Sequence, residues 1–150
     1  MEGLMVSKIL DHLYLGDIHD ARKFDGEIIC VMQELVQALE PEHAYWIPII
    51  RTNKPINDDH LIKGQDLKTT ALKHQLDLVA KLIHELRLAG EDVLVHCMAS
   101  IERSPLTIVY YLHKYHNINY NQAYDYVKKI HPITQNRLEW LNLTYDEYQS

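Results

Sequence analysis

The sequence is poor in cysteine, has no excess of basic charge and contains no long apolar run. Two cysteines in 150 residues, Cys30 and Cys97, are too few for a disulfide framework and imply a reducing, cytoplasmic setting in which each thiol needs its own explanation. Fifteen Lys and Arg against 21 Asp and Glu leave a formal net charge of −6, which argues against nucleic acid or an anionic membrane as the main partner. No apolar stretch reaches membrane-spanning length, and the start Met1-Glu2-Gly3-Leu4-Met5-Val6-Ser7-Lys8 lacks the basic and apolar regions of a signal peptide. Repeats and low-complexity tracts are absent too. What is present is 47% hydrophobic and 24% charged residues, enough to bury one core, and the expectation is a single monomeric domain over residues 1–150.

Several segments carry periodic patterns. Ile9 to Gly16 reads as a strand ending in a turn, Ile28 to Met32 as a strand covered on both faces, and Tyr45 to Ile50 as an edge strand because of Pro48. Arg51 to Gln65 is polar and turn-rich, the longest expected loop. Leu72, Leu76, Val79, Ile83 and Leu86 recur at steps of four and three, one helical stripe that Gly90 closes. Val93-Leu94-Val95-His96 is a short buried strand. Ser104-Pro105 then predicts a helix start with Ser104 as cap and Pro105 in the first turn. Two more helices are expected over Asn121–Ile130 and Asn136–Tyr145. Strands alternating with helices give an α/β fold with a central, mostly parallel sheet flanked by helices.

The chemistry concentrates in Val95-His96-Cys97-Met98-Ala99-Ser100-Ile101-Glu102-Arg103-Ser104-Pro105. A cysteine ends a buried strand, an arginine follows six positions later, and a helix N-terminus comes directly after. An arc of this length between strand and helix suits backbone N–H groups converging on one tetrahedral anion, with the helix dipole adding positive potential. Arg103 can hold two phosphate oxygens at once. The same amides and dipole favour a thiolate on Cys97, a nucleophile, and Ser104 is placed to donate a hydrogen bond to its sulfur when sulfur later leaves. A plain core cysteine beside a surface arginine is the competing reading. It leaves the buried strand, the helix start and His96 unconnected.

The segment resembles the His-Cys-x5-Arg-Ser signature of the cysteine-dependent protein tyrosine phosphatases, and in particular the small dual-specificity phosphatases. Leu13-Tyr14-Leu15-Gly16 and Tyr45-Trp46-Ile47-Pro48-Ile49 resemble further family segments, and Pro132 and Asn136 echo its Arg-Pro…Asn stretch. The resemblance implies hydrolysis of a phosphomonoester through a phosphocysteine intermediate, without metal or cofactor. It implies phosphate binding by Met98, Ala99, Ser100, Ile101, Glu102 and Arg103, and an upstream Asp as general acid. Spacing to the following helix favours Asp66 for that role, which makes Arg51–Gln65 an insertion; Asp58 and Asp59 are the other candidates, and an N-terminal helix cap is the competing role for Asp66. Gln135 and Asn136 sit where related enzymes position the hydrolytic water. Met98 and Ile101 are apolar where members acting on inositol lipids or RNA ends carry basic residues, so a phosphorylated protein or peptide is the expected partner.

Two positions depart from the family pattern. Ser100 stands where Gly is usual, implying a different loop path or a cost of about 1 kcal/mol for positive φ. Glu102 puts a carboxylate beside an anion site, harmful only if it points inward. These departures keep open a phosphate-binding pseudophosphatase, and a Ser and a Glu here also resemble the rhodanese-like phosphatases, with sulfur-transfer or arsenate chemistry as a weaker alternative. His96 is expected to bond backbone near the cysteine rather than act as a base. His113 and His116 have helical spacing but lack a third metal ligand, so no metal site is expected. Cys30 is most simply a core residue, with a reversible disulfide to Cys97 conditional on a short Cα separation, and the tyrosines from Tyr110 to Tyr126 are expected to pack helix faces.

Overall fold

The computed structural model describes residues 6–32, 44–49 and 71–150. Within these, strands β1 (Ser7–Leu10), β2 (Leu13–Gly16), β3 (Glu27–Cys30), β4 (Tyr45–Trp46) and β5 (Val93–His96) form one sheet in the order β1-β2-β5-β3-β4. β5 is parallel to both β2 and β3, β3 is parallel to β4, and only β1 runs antiparallel to its neighbour. The mostly parallel sheet expected from the pattern is therefore present. All four residues of β5 are buried, as a continuous apolar run in a central strand requires.

The helices are α1 (Ile18–Lys23), α2 (Ala71–Leu88), α3 (Arg103–His116), α4 (Tyr120–Ile130) and α5 (Tyr145–Gln149), with a 3-10 turn at Leu138–Leu141. The stripe of α2 buries Leu72, Leu76, Val79 and Ile83, and Gly90 follows the helix at φ +80°. α3 is the central helix: Ser104 through Leu112 are all buried, against α2, α4 and the sheet. Leu106, Ile108, Val109 and Leu112 have no exposed surface, and each such side chain contributes roughly 1.5–3 kcal/mol relative to an exposed one.

The structure corrects five local expectations. Ile9–Gly16 is a hairpin and not one strand: Asp11-His12 turns the chain, with His12 at φ +67°. α1 was not expected; its signal is local, a reciprocal cap in which Asp17 Oδ1 accepts from the Asp20 N–H and Asp20 Oδ2 from the Asp17 N–H, both at 2.9 Å. Asn136–Tyr145 is not a helix, because Asn142 takes φ +52° after the 3-10 turn and the chain restarts as α5 behind a Thr144–Glu147 capping box. Ser104 is not the cap of α3, which begins one residue earlier at Arg103 behind Glu102. Pro105 accordingly sits third in that helix, where its missing N–H still costs nothing. The described part of Tyr45–Ile50 is strand only at Tyr45–Trp46, and the loop Arg51–Gln65 lies outside the described residues.

Candidate active site

The register aligns the carboxyl ends of three parallel strands, with Gly16 of β2 and Cys30 of β3 both opposite His96 of β5. Crevices outside such strand ends are where open α/β sheets take ligands. Gly16 is fixed by crowding, since a Cβ there would lie 2.9 Å from Asp20 Oδ2 and 3.2 Å from Leu94 Cδ1. From β5 the chain runs through Cys97–Glu102 into α3, around a cavity of about 260 Å³ lined by Cys97, Met98, Ala99, Ile101, Glu102, Arg103 and Gln135.

The loop is tied by its carbonyls from several directions. The Ile18 N–H at the start of α1 donates to the Met98 carbonyl at 3.4 Å, the Gln135 N–H to the Ile101 carbonyl at 2.9 Å, and the Leu106 N–H to the Glu102 carbonyl at 3.1 Å. His131 Nε2 lies 2.8 Å from the Ser100 carbonyl, and His96 Nδ1 lies 3.3 Å from the Cys97 carbonyl. In a trans peptide the next N–H points opposite to the carbonyl, and no described bond is cis. The N–H groups of Ala99, Ile101, Glu102 and Arg103 are thereby turned away from those partners, so that they can converge on an anion.

Cys97 is buried, 5% exposed, with its Sγ 3.2 Å from Ser104 Oγ. The Ser104 hydroxyl, free of the capping role, also lies 3.4 Å from Ser100 Oγ. Ser100 adopts φ +62°, the left-handed conformation that favours glycine and that costs an L-residue about 1 kcal/mol. The Glu102 carboxylate is paired: Arg137 holds its Oε1 with Nη2 at 2.8 Å and Nε at 3.3 Å, and Arg137 Nη2 also donates to Gln135 Oε1. The Glu102 carboxylate in turn raises the Arg137 pKa above its ordinary value.

Of the residues singled out from sequence, Cys97, Met98, Ala99, Ile101, Glu102, Arg103 and Gln135 line the cavity, and Ser100, Ser104 and His96 are buried around it. Asn136 does not join them; its Oδ1 accepts the Leu138 N–H at 2.9 Å, at the start of the 3-10 turn. Asp58, Asp59 and Asp66 lie outside the described residues. His113 and His116 go separate ways, the first to the Ile118 carbonyl at 2.8 Å and the second beside Arg87 at 3.1 Å. Cys30 is fully buried in β3. Tyr110, Tyr111, Tyr120 and Tyr124 pack as expected, whereas Tyr126 is 40% exposed and donates to the Ile9 carbonyl of β1. Arg137 and His131 were missed, because both act on the loop from more than 30 residues away.

A family model described as the dual specificity phosphatase catalytic domain matches residues 19–147. The chain belongs to that family. Dual specificity protein phosphatase 22-B of Danio rerio is 29% identical over 166 aligned positions, covering 97% of this chain and 85% of the relative. Human dual specificity protein phosphatase 22 is 32% identical over 110, covering 73% of this chain and 55% of the relative. The crystal structure of human DUSP28 superposes with a TM-score of 0.68 at 16% identity, covering 99% and 93% of the two chains, and supports the fold. This dual-specificity phosphatase is thus a phosphatase enzyme whose relatives imply phosphoprotein substrates. Among its described residues no helix is long and apolar enough to cross a membrane.

Proposed function

We propose that this dual-specificity phosphatase removes phosphate from phosphotyrosine, and from phosphoserine or phosphothreonine, in proteins through a phosphocysteine on Cys97. The observation that carries the reading is the thiol of Cys97 at the mouth of β5, 3.2 Å from the Ser104 hydroxyl, in a loop whose carbonyls are held by other elements. Cys97 Sγ attacks phosphorus as a thiolate; the S–P bond forms as the bond from phosphorus to the ester oxygen breaks. Arg103 and the loop amides stabilise the trigonal-bipyramidal transition state, where charge spreads over the equatorial oxygens. Asp66, with Asp58 or Asp59 as alternatives, protonates the leaving oxygen and then takes a proton from water in the second step. Water attacks the phosphocysteine, phosphate departs, and the thiolate returns with a hydrogen bond from Ser104. Gln135, at the cavity wall, is the side chain placed to orient that water.

The exposed Met98, 47% accessible, gives the cavity an apolar rim. That suits a peptide better than an inositol lipid, whose further phosphates would demand cations. The deciding experiment assays an aryl phosphate with the parent protein and with Cys97→Ser, Asp66→Asn and Asp59→Asn across pH. Loss of turnover in Cys97→Ser and loss of leaving-group protonation in Asp66→Asn are expected. Turnover surviving Cys97→Ser overturns the mechanism, and loss confined to Asp59→Asn moves the acid to that residue.

A further inference from the structure

One buried side chain touches the phosphate loop without lining the cavity. His131 follows α4, is 7% exposed, and connects the loop to the edge of the sheet: Nε2 lies 2.8 Å from the Ser100 carbonyl and Nδ1 lies 2.7 Å from the Ser7 hydroxyl of β1. A carbonyl only accepts, so Nε2 must carry hydrogen. In the neutral ring Nδ1 then presents a lone pair, to which the Ser7 hydroxyl donates. With the ring neutral the chain runs in one direction: Ser7 O–H to His131 Nδ1, His131 Nε2–H to the Ser100 carbonyl. The Ser100 carbonyl therefore sets the tautomer, and Ser7 stabilises it by donating to the lone pair on Nδ1.

Its acceptor is the one loop residue in the left-handed region, Ser100 at φ +62°. Glycine would rest there unaided, but serine prefers to leave it. Rotation of the Ser100–Ile101 peptide is the obvious escape, and it would swing the Ile101 N–H away from an anion. A donor on the Ser100 carbonyl opposes that rotation, because carbonyl and following N–H turn together.

We infer that Ser7 and His131 form a positioning pair for the phosphate loop, holding the Ser100 carbonyl outward and hence the Ile101 amide toward bound phosphate. The pair rests on the phosphatase reading only for the purpose of the loop, and acts through Ser100 without touching substrate. It makes an unfavourable residue workable where the family's usual glycine would not need help.

The test measures affinity for inorganic phosphate by calorimetry in a Cys97→Ser background, so that binding is read without turnover. Adding His131→Phe keeps the ring and removes both nitrogens, and it should weaken phosphate binding about tenfold, the worth of one buried hydrogen bond. His131→Gln places an amide N–H near the position of Nε2 and should recover most of that loss. Ser7→Ala should give a smaller loss, about threefold, since the ring stays but its tautomer is no longer held. In the catalytically intact protein the same substitutions should raise KM for an aryl phosphate more than they lower kcat. Phosphate affinity in His131→Phe within twofold of its parent overturns the inference, as does a loss equal in His131→Phe and His131→Gln that follows their melting temperatures. Should His131→Phe fail to fold, Ser7→Ala and His131→Gln decide: parental affinity in Ser7→Ala overturns it. Failure of the parent protein to turn over aryl phosphate would instead refute the phosphatase reading and leave the affinity comparison standing.

Discussion

The ion pair between Glu102 and Arg137 makes Arg137 a residue whose removal should harm phosphate binding although it does not itself line the cavity. Arg137 holds the Glu102 carboxylate at 2.8 Å, and their side chains are 26% and 42% exposed. Arg137→Ala frees a negative charge on a loop built for a dianion. Coulomb's law for a carboxylate about 8 Å from a phosphate dianion, at an effective dielectric of about 40, gives roughly 2 kcal/mol of repulsion. Half or more of that is lost to solvent, because the pair is not deeply buried, leaving about 1 kcal/mol and a KM increase of about fivefold. The assay is aryl-phosphate kinetics at low ionic strength, repeated in about 0.5 M salt, where a Debye length of under about 5 Å should erase most of the effect. Glu102→Gln in the Arg137→Ala protein should restore KM, since the repelling charge is then gone. A KM in Arg137→Ala equal to that of the parent at low salt refutes the electrostatic argument. A loss that Glu102→Gln leaves in place does so as well, and would assign Arg137 a direct part through Gln135, to which it also donates.

Three further predictions follow from the same geometry. Ser100→Gly relieves the positive φ at the phosphate loop and should raise the melting temperature by about 2–4 °C, for a gain of about 1 kcal/mol in a chain of this size; a lower melting temperature contradicts the strain. Ser104→Ala removes the hydroxyl 3.2 Å from Cys97 Sγ; stopped-flow assays should show a burst of aryl alcohol followed by turnover slowed about ten- to hundredfold, and slowing without a burst would place the role of Ser104 in the first step. Burial works against ionisation of Asp77, but hydrogen bonds from Lys114 and Tyr110 outweigh it and hold the carboxyl below its usual 3.8. A depressed folded-state pKa contributes stability that is present above the unfolded value and lost as pH falls through the folded one. Urea midpoints should therefore fall less between pH 5 and pH 3 in Asp77→Asn than in the parent, and parallel pH profiles would exclude Asp77 as a contributor.

What was legible in the sequence was local and strongly patterned. Val93–His96 is found as a strand because a central position between two parallel neighbours demands an unbroken apolar run. The α2 stripe and the turn at Gly90 are equally local. The cysteine-to-arginine loop is legible because its spacing between strand and helix is itself the constraint. Failures have physical causes. The Leu10–Leu13 hairpin turns on Asp11-His12, with a histidine and no glycine at the positive φ, so its usual signal is missing. Asn136–Tyr145 has helical spacing of apolar residues, yet Asn136 spends its side chain on the Leu138 N–H and Asn142 leaves the helical region. Ser104 looks like a cap, but Arg103 is drawn into the first turn of α3, and the displaced hydroxyl reaches the sulfur instead.

The orientation of Glu102 shows why the site's electrostatics required the fold. From sequence, a carboxylate in the fifth place after Cys97 weakens an anion site or does nothing, depending on one side-chain torsion. That torsion is set by Arg137, 35 residues away, which reaches back because the turn after α4 hydrogen-bonds to the loop at Ile101 through Gln135. The same turn brings His131 to Ser100. Net charge is blind to this arrangement, since in a −6 chain the proposed anion site draws on loop amides, a helix start and Arg103, with the carboxylate on the loop paired to Arg137. Both departures from the family pattern, Ser100 and Glu102, are therefore met by residues of one short segment, 131–137. Of its exposed positions, Pro132, Ile133, Gln135 and Asn136, the last two have hydrogen-bonded side chains, so substitution should be tolerated best at Pro132 and Ile133, and a scan in which His131 and Arg137 prove as replaceable as those two would break the connection between the turn and the loop.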